Sequence, residues 1–419
     1  MDRAVDYEEA MNDAEVSIRE GIAEDWRAIS KLLSHVFHHE DDPAARDVQE
    51  SVFEPDRSLV ADDNGLVVGH AAAYTRDLTV PGGVVPAAHV TLVGVAPTHR
   101  RQGVLTRMMH RQLREISAGG REPIAALWAS EGKIYPRYGY GRAVHRLALD
   151  VSTLEVRTPV VTSGGRVRLV EPIDAYKLFA QVYETVRPDR PGWSTRDDRW
   201  WRSVLSDVPS ARHGRTELHG AVHEMPDGPT GYAVWRTESA WAAGGPAGTV
   251  HVRELVAADP QAYATLWRFL LSTDLARSVT FDFATPDEPL LHLVDEPRRL
   301  GAVLTDSLWI RLVNLPGALA ARRYAAPVDV VLQVGDPLLP ENAGRWRLTG
   351  GPRGATCTPT ETPADLDCTV LELGAAYLGG TSLAALADAG RVRELTPGTL
   401  APAATAFGWH RGPAAIEVF

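Results

Sequence analysis

The run Val90-Thr91-Leu92-Val93-Gly94-Val95 is apolar and rich in β-branched residues, and Ala96-Pro97-Thr98-His99-Arg100-Arg101-Gln102-Gly103 turns it through a basic loop into a segment of helical spacing. From about Gln102 to Ser117, Val104, Met108, Leu113 and Ile116 recur at three- to five-residue intervals, so the helix buries one face and leaves its N-terminus free. A strand, a glycine-containing loop and a helix in that order build an anion cradle. First-turn N–H groups lack intrahelical acceptors, the helix dipole is positive there, and Arg100 and Arg101 add charge. A glycine before a helix is common and a basic pair is usually solvated, so the surrounding pattern decides. The loop lacks the Gly-Lys-Ser/Thr of a Walker motif and the Gly-x-Gly-x-x-Gly of a dinucleotide fold.

A chain of 419 residues exceeds one ordinary core, and at about 150 residues per domain it predicts three. With 44% hydrophobic and 23% charged residues it reads as globular throughout. The formal charge of −11 argues against nucleic acid as a partner and is compatible with a cationic substrate. Cys357 and Cys368 are too few for a zinc site or a disulfide framework and read as plain thiols in a reducing compartment. No apolar run is long enough to span a membrane, and residues 1–14 are acidic and polar, without a signal-peptide core, so a frayed N-terminus and a cytoplasmic protein with no membrane partner are expected.

Val16 to Arg19 alternates like a strand, Trp26, Ile29, Leu32, Leu33 and Val36 have helical spacing, and strands are expected at 57–61 and 66–74 around Asp62-Asp63-Asn64-Gly65. Pro81 to Pro86 reads as a loop, and Ile124 to Ala129 as a further strand. Val167 to Ala175 aligns without a gap on Val16 to Glu24, and Val250 to Ala257 followed by Tyr263 to Leu271 repeats the strand-then-helix order. Its connecting loop, Ala258-Asp259-Pro260-Gln261, has neither glycine nor arginine, so this second copy has no pyrophosphate site. In the last third, Leu308 to Val313, Val328 to Val334, Trp346 to Leu348 and Cys368 to Leu371 read as strands, with helices opening at Pro316, over 383–389 and near Ala403. The largely apolar end, Ala414 to Phe419, is expected to be buried.

The spacing Arg100-x-x-Gly103 after a valine-rich strand resembles the acetyl-CoA pyrophosphate loop of the GNAT superfamily of N-acetyltransferases, with Leu105 where a small residue is usual. Acyl transfer from a thioester to an amine needs a free amine lone pair, a stabilised oxyanion and a proton for the departing thiolate. In Ala129-Ser130-Glu131-Gly132-Lys133-Ile134-Tyr135-Pro136-Arg137-Tyr138-Gly139-Tyr140, Tyr135 is the first choice for that acid, and Tyr138 and Tyr140 read as packing residues. A phenol of pKa about 10 can protonate a thiolate of about 8.5.

Val93 to Gly103, Ala129 to Tyr135, Leu308-Trp309-Ile310-Arg311-Leu312 and a terminal Phe419 together resemble the Eis (enhanced intracellular survival) family of acetyltransferases over nearly the whole chain. The resemblance implies a mixed α/β, α+β chain: a catalytic GNAT domain over 1–155, a degenerate GNAT domain over 160–300, and a sterol-carrier-like α+β domain over 301–419. It also implies acetyl-CoA as donor, no metal, a homo-hexamer, Tyr135 as general acid and the Phe419 carboxylate as general base. Val93 and Val95 would hold the pantetheine arm, and Arg100, Arg101, Gly103, Leu105 and Thr106 would surround the pyrophosphate. A terminal carboxylate of pKa about 3.3–3.7 is a weak base unless it is desolvated, works through water, or mainly orients the ammonium; a terminus buried for stability alone is the other reading.

Aminoglycoside-acetylating members of that family place acidic residues around the acceptor, one of them next to the terminal Phe; here Val418 stands there, with Glu417 one place further in. In Phe37-His38-His39-Glu40-Asp41-Asp42 the expected acidic position holds His39. Asp306 can supply a carboxylate or sit solvated in a turn, and Trp128 can wall the pocket or pack in the core. The His pair has no third metal ligand at a fitting spacing. Phe37, His39, Trp128 and Asp306 are thus the candidate acceptor pocket, for an aminoglycoside-like cation or a lysine. The competing function is a non-catalytic protein holding an apolar ligand in its C-terminal domain.

Overall fold

The computed structural model describes residues 16–158 and 165–419; the N-terminal stretch read as frayed lies outside the described residues. β1 (Ser17–Glu20) leads into α1 (Trp26–Phe37), whose Trp26, Ile29, Leu32 and Leu33 are buried. α2 (Pro43–Glu50) is capped by Asp42, which accepts from the Ala44 N–H at 2.8 Å. β2 (Ser58–Asp63), β3 (Leu66–Val80) and β4 (Gly83–Val95) form a meander. The last two pair down to Val80 opposite Gly83, so most of the expected loop at Pro81 to Pro86 is strand. Gly82, at φ +68°, closes that turn within two residues. Pro86 is tolerated because it precedes Ala87, the first β4 residue paired with the next strand. α3 (Val104–Gly119), β5 (Ile124–Trp128), β6 (Gly141–Arg142) and β7 (His145–Ser152) complete the first half.

The second half runs β8 (Arg166–Val170), α4 (Tyr176–Val186), α5 (Asp198–Val204), β9 (His219–Met225), β10 (Gly228–Glu238) and the short pair β11 (Trp241–Ala242) and β12 (Gly245–Pro246). It continues with β13 (Gly248–Ala257), α6 (Pro260–Leu271), β14 (Ala276–Ala284), α7 (Leu290–Leu293), β15 (Val303–Asp306) and β16 (Leu308–Leu312). The two seven-stranded sheets have the orders β1-β2-β3-β4-β5-β16-β6 and β8-β9-β10-β13-β14-β7-β15. They are one arrangement built twice, and the aligned segments at Val16 and Val167 become their edge strands. The penultimate strands are exchanged: β16 pairs with β5 in the first sheet, and β7 pairs with β14 in the second. Sheet membership therefore does not follow the divisions expected near 155 and 301, because pairing across the exchange is non-local and leaves no trace in local periodicity.

The C-terminal part comprises α8 (Leu315–Ala321), β17 (Val328–Gly335), β18 (Gly344–Gly351), β19 (Gly354–Pro359), β20 (Leu366–Thr369), α9 (Val370–Ala376), α10 (Leu383–Asp388), β21 (Arg393–Glu394) and α11 (Leu400–Phe407). Val370 and Leu371, expected in a strand, open a helix, because Thr369 and Glu372 form a reciprocal capping box. One apolar core joins this part to the first sheet, with Ile124, Ile310 and Leu312 against Leu319, Tyr324 and Leu373. Arg322, fully buried, donates to the carbonyls of Ala376, Tyr377 and Phe407 inside a cage of Tyr324, Tyr377 and Phe407 rings. The expected burial of the tail holds for Ala414, Ala415 and Ile416, whereas Val418 is exposed.

Candidate active site

β4 runs parallel to β5 only over Ala87 to His89, and beyond that the strands part. The register against β3 slips between His70 and Ala72, which places Leu92 and Val93 in a bulge with Leu92 at φ +52°. Buried His70 holds the bulge, its Nδ1 lying 2.8 Å from the Leu92 carbonyl. Burial depresses its pKa to about 4, so the imidazole is neutral and donates. Val93 and Val95 thus present backbone on an edge that β5 has left.

The chain then turns at Pro97 to His99, and Arg101 (φ +64°) and Gly103 (φ +78°) are both left-handed. No side chain caps α3; its backbone ladder begins with Arg107 N donating to Gly103 O at 2.9 Å. A Cβ on Gly103 would meet nothing within 4 Å, so the glycine is needed for its backbone angle, and the space over the helix end is open. Arg100 and Arg101 are exposed beside it. These residues fit a pyrophosphate: free N–H groups and a positive dipole end lie open, with two exposed arginines in the adjoining loop. Leu105 packs into the apolar clusters beneath the loop, and the Thr106 hydroxyl lies 3.3 Å from that of Tyr138, directed at the tyrosine turn.

Tyr135 opens the short turn Tyr135–Tyr138 and is buried, edge-on to Tyr140 at 6.0 Å. Burial, with smaller contributions from Tyr138 and Glu131 and an opposing hydrogen bond from Ser130, pushes its pKa up to about 12. The phenol therefore holds its proton at neutral pH.

The tail is threaded across the second half to the first sheet. Gly412 N donates to Asp287 at 2.9 Å and Ala414 N to Pro191 O at 2.8 Å; Ala414 and Ile416 pack among Phe179, Tyr183 and Trp193. Phe419 ends against His89 of β4, ring centroids 4.6 Å apart, with Leu92, Tyr74 and Trp200 around it. Its ring thus lies beside His89, the last residue at which β4 pairs with β5. Burial, reinforced by the nearby Arg76 charge, brings the His89 pKa down to about 3; its Nδ1 contacts Ala87 O at 3.0 Å and its Nε2 the Ser194 hydroxyl at 2.7 Å.

The residue that fixes the tail is Glu417, whose part no local sequence pattern marks. It is reached by Arg76 of β3 at 2.5 Å and by Arg196 at 2.7 Å, and Arg196 also forks onto Glu254 at 2.9 and 2.8 Å. Burial pushes the Glu417 carboxyl up, but Arg196 and Arg76 outweigh it and hold the group below its ordinary value.

Beside the tail lies a cavity of about 360 Å³ lined by Val48, Gln49, Trp200, Arg253, Phe283 and Val418, among others. Phe37 and His39 are exposed at the end of α1 and do not line it; α2 does, drawn across by a hydrogen bond from Ser210 to Asp42. Trp128 stands behind the wall, edge-on to Phe283 at 6.0 Å. The Asp306 carboxylate accepts from the Trp309 indole at 2.7 Å. Among the described residues no group of three His, Cys, Asp or Glu could hold a metal ion.

Residues 17–143 and 192–312 each match a family model described as an acetyltransferase (GNAT) domain, and residues 315–415 match a sterol carrier protein domain. Fold and matches together define a tandem GNAT acetyltransferase with an appended sterol-carrier-type domain. An uncharacterized N-acetyltransferase of Streptomyces avermitilis is 47% identical over 86% of this chain and 89% of its own. The N-acetyltransferase Eis of Mycobacterium tuberculosis is 35% identical over 88% and 91%. The crystal structure of Eis1 from Mycobacterium abscessus superposes with a TM-score of 0.83 at 32% identity, covering 96% of this chain and all of that one. The chain belongs to the Eis family of GNAT N-acetyltransferases.

Proposed function

We propose that the chain transfers acetyl from acetyl-CoA directly to an amine, at one site per chain, in the first half. The observation that carries this reading is the start of α3: an uncapped N-terminus under a left-handed Gly103, flanked by two exposed arginines and facing the bulged edge of β4. Arg100, Arg101, Gly103 and the N–H groups of Leu105 and Thr106 bind the pyrophosphate, and the backbone of Val93 and Val95 aligns the pantetheine arm. The thioester supplies an acyl group activated toward amines. The Phe419 carboxylate takes a proton from the ammonium, directly or through water, and the free amine attacks the acyl carbon. As the carbon–sulfur bond breaks, Tyr135 gives its proton to the sulfur and is reprotonated by the second proton that the nitrogen loses, while the proton taken by Phe419 passes to solvent. Glu417 keeps the terminus in place and takes no part in proton transfer.

An aminoglycoside-like cation or a lysine side chain would each bring the protonated amine this chemistry requires. We also propose a cytoplasmic homo-hexamer, on family membership alone. Thiol release from acetyl-CoA with a panel of amines tests the reading; no binding of acetyl-CoA and no turnover with any amine would refute it.

A further inference from the structure

The cavity beside the tail is notable for which charges in it are already satisfied. Its two carboxylates, Glu254 and Glu417, are both neutralised: Arg196 pairs with each, Arg76 with Glu417, and the Tyr232 hydroxyl donates to Glu254. Gln49, Ser203 and Ser206 add only neutral polar groups. Arg253 is different. It lines the cavity from β13 at a bulge, where the register against β10 slips between Val234 and Trp235 and leaves Arg253 the extra residue between Val252 and Glu254. It is half-buried, and among the described residues it makes no hydrogen bond, ion pair or ring contact.

A guanidinium is charged at any relevant pH and offers five donors in a fixed fork that suits an oxyanion. On the far side of Arg253 a second cavity of about 400 Å³ is lined by Arg215, Arg236 and His251 against Asp282, and no carboxylate there comes within ion-pair distance of Arg253. Burial pushes the Arg253 pKa down; the charges of Glu254 and Glu417 oppose the shift and those of Arg236 and Arg196 add to it. Val418, which also lines the cavity, adds no charge to it.

Building on the acetyl-transfer reading, we infer that the acceptor is a primary amine that also carries an oxyanion, its anionic end held by Arg253 and its amine directed toward Phe419. A polycation would place charge against an unpaired guanidinium. A lysine or free amine close to a carboxylate or phosphate would set its anionic end on Arg253 and reach past Val418, which lines the cavity, to the adjoining Phe419.

The test uses the full-length protein and thiol release from acetyl-CoA with matched sets of amines at three chain lengths. At each length the distal group is methyl, ammonium, carboxylate or phosphate, as in hexylamine, hexane-1,6-diamine, 6-aminohexanoate and 6-aminohexyl phosphate. At one length or more, an anionic member should exceed both the alkylamine and the diamine by about tenfold in kcat/KM, and the two anionic arms separate carboxylate from phosphate. Arg253→Gln should bring that ratio to within about twofold of unity, and Arg253→Glu should turn the preference to the diamine. Acetylation of the panel with no anionic preference at any length overturns the inference, as does a ratio unchanged in Arg253→Gln, or acetyl-CoA binding without acetylation of any member. Absence of acetyl-CoA binding overturns the acetyl-transfer reading itself.

Discussion

The two halves build the same strand–loop–helix unit and end it differently. Both carry a bulge on the long strand, at Leu92 and Val93 of β4 and at Arg253 of β13, and both let the next parallel strand part company, after His89 and after Val252. α3 then starts under a left-handed glycine with no side-chain cap, whereas α6 starts at Asp259, whose carboxylate accepts from the N–H groups of Gln261 and Ala262 at 2.8 Å each. Pro260 removes one further N–H. The second half still encloses a cavity of about 410 Å³ at this spot, but an anion is built into its helix end. One duplicated scaffold can thus carry a ligand site or a capped helix, and the choice rests on whether the fold supplies its own anion. The bulge has diverged too: in the first half it exposes backbone beside the loop, and in the second it sets Arg253 where it lines both the cavity beside the tail and the one lined by Arg215 and His251.

The largest expected effect is on what the first half alone possesses. Tyr135→Phe should lower kcat by roughly 10²–10⁴-fold while circular dichroism and the melting temperature stay near wild type, since only a hydroxyl is lost. Next is the latch that brings the tail from one half to the other. Glu417→Gln leaves Arg76 and Arg196 facing an uncharged side chain and should cost about 3 kcal/mol in chemical denaturation, with weaker activity because Phe419 loses its anchor. The Glu417 pKa is depressed in the fold, so its contribution is present above the ordinary value of 4.5 and is lost as pH falls through the lower folded value. Stability of the wild type should therefore drop on acidification below that range, and the drop should be smaller in Glu417→Gln.

Gly103→Asp imposes the second half's solution on the first. A carboxylate over the helix end and a strained backbone at φ +78° should weaken acetyl-CoA binding by roughly a hundredfold in calorimetry. The reverse change is the mildest: Asp259→Ala removes a cap, should cost about 1 kcal/mol of stability and leave acetyl transfer as it was.

Much of this comparison could be read along the chain. The basic glycine loop, its glycine-free counterpart and the buried faces of α1 and α3 are local patterns, and local patterns follow the period of the element that makes them. The α9 capping box, Thr369 with Glu372, was equally local, and the β-rich Cys368-Thr369-Val370-Leu371 hid it. What could not be read was built from distant pairs. The exchange of β7 and β16 depends on strands far apart in sequence, and the latch joins residues 76, 196, 254 and 417. The cavity beside the tail is lined by neither Phe37 nor His39 at the end of α1. Asp42 and Ser210 bring α2 there instead, and Arg253 arrives from a bulge that no periodicity marks.

The central claim, that the fold was duplicated and its cofactor cradle kept once, is tested most directly by isothermal titration of acetyl-CoA into wild type, Gly103→Asp and Asp259→Ala. One site per chain is expected in wild type and in Asp259→Ala, with binding largely lost in Gly103→Asp. Two sites per chain, or a single site that survives Gly103→Asp and disappears with Asp259→Ala, would contradict it.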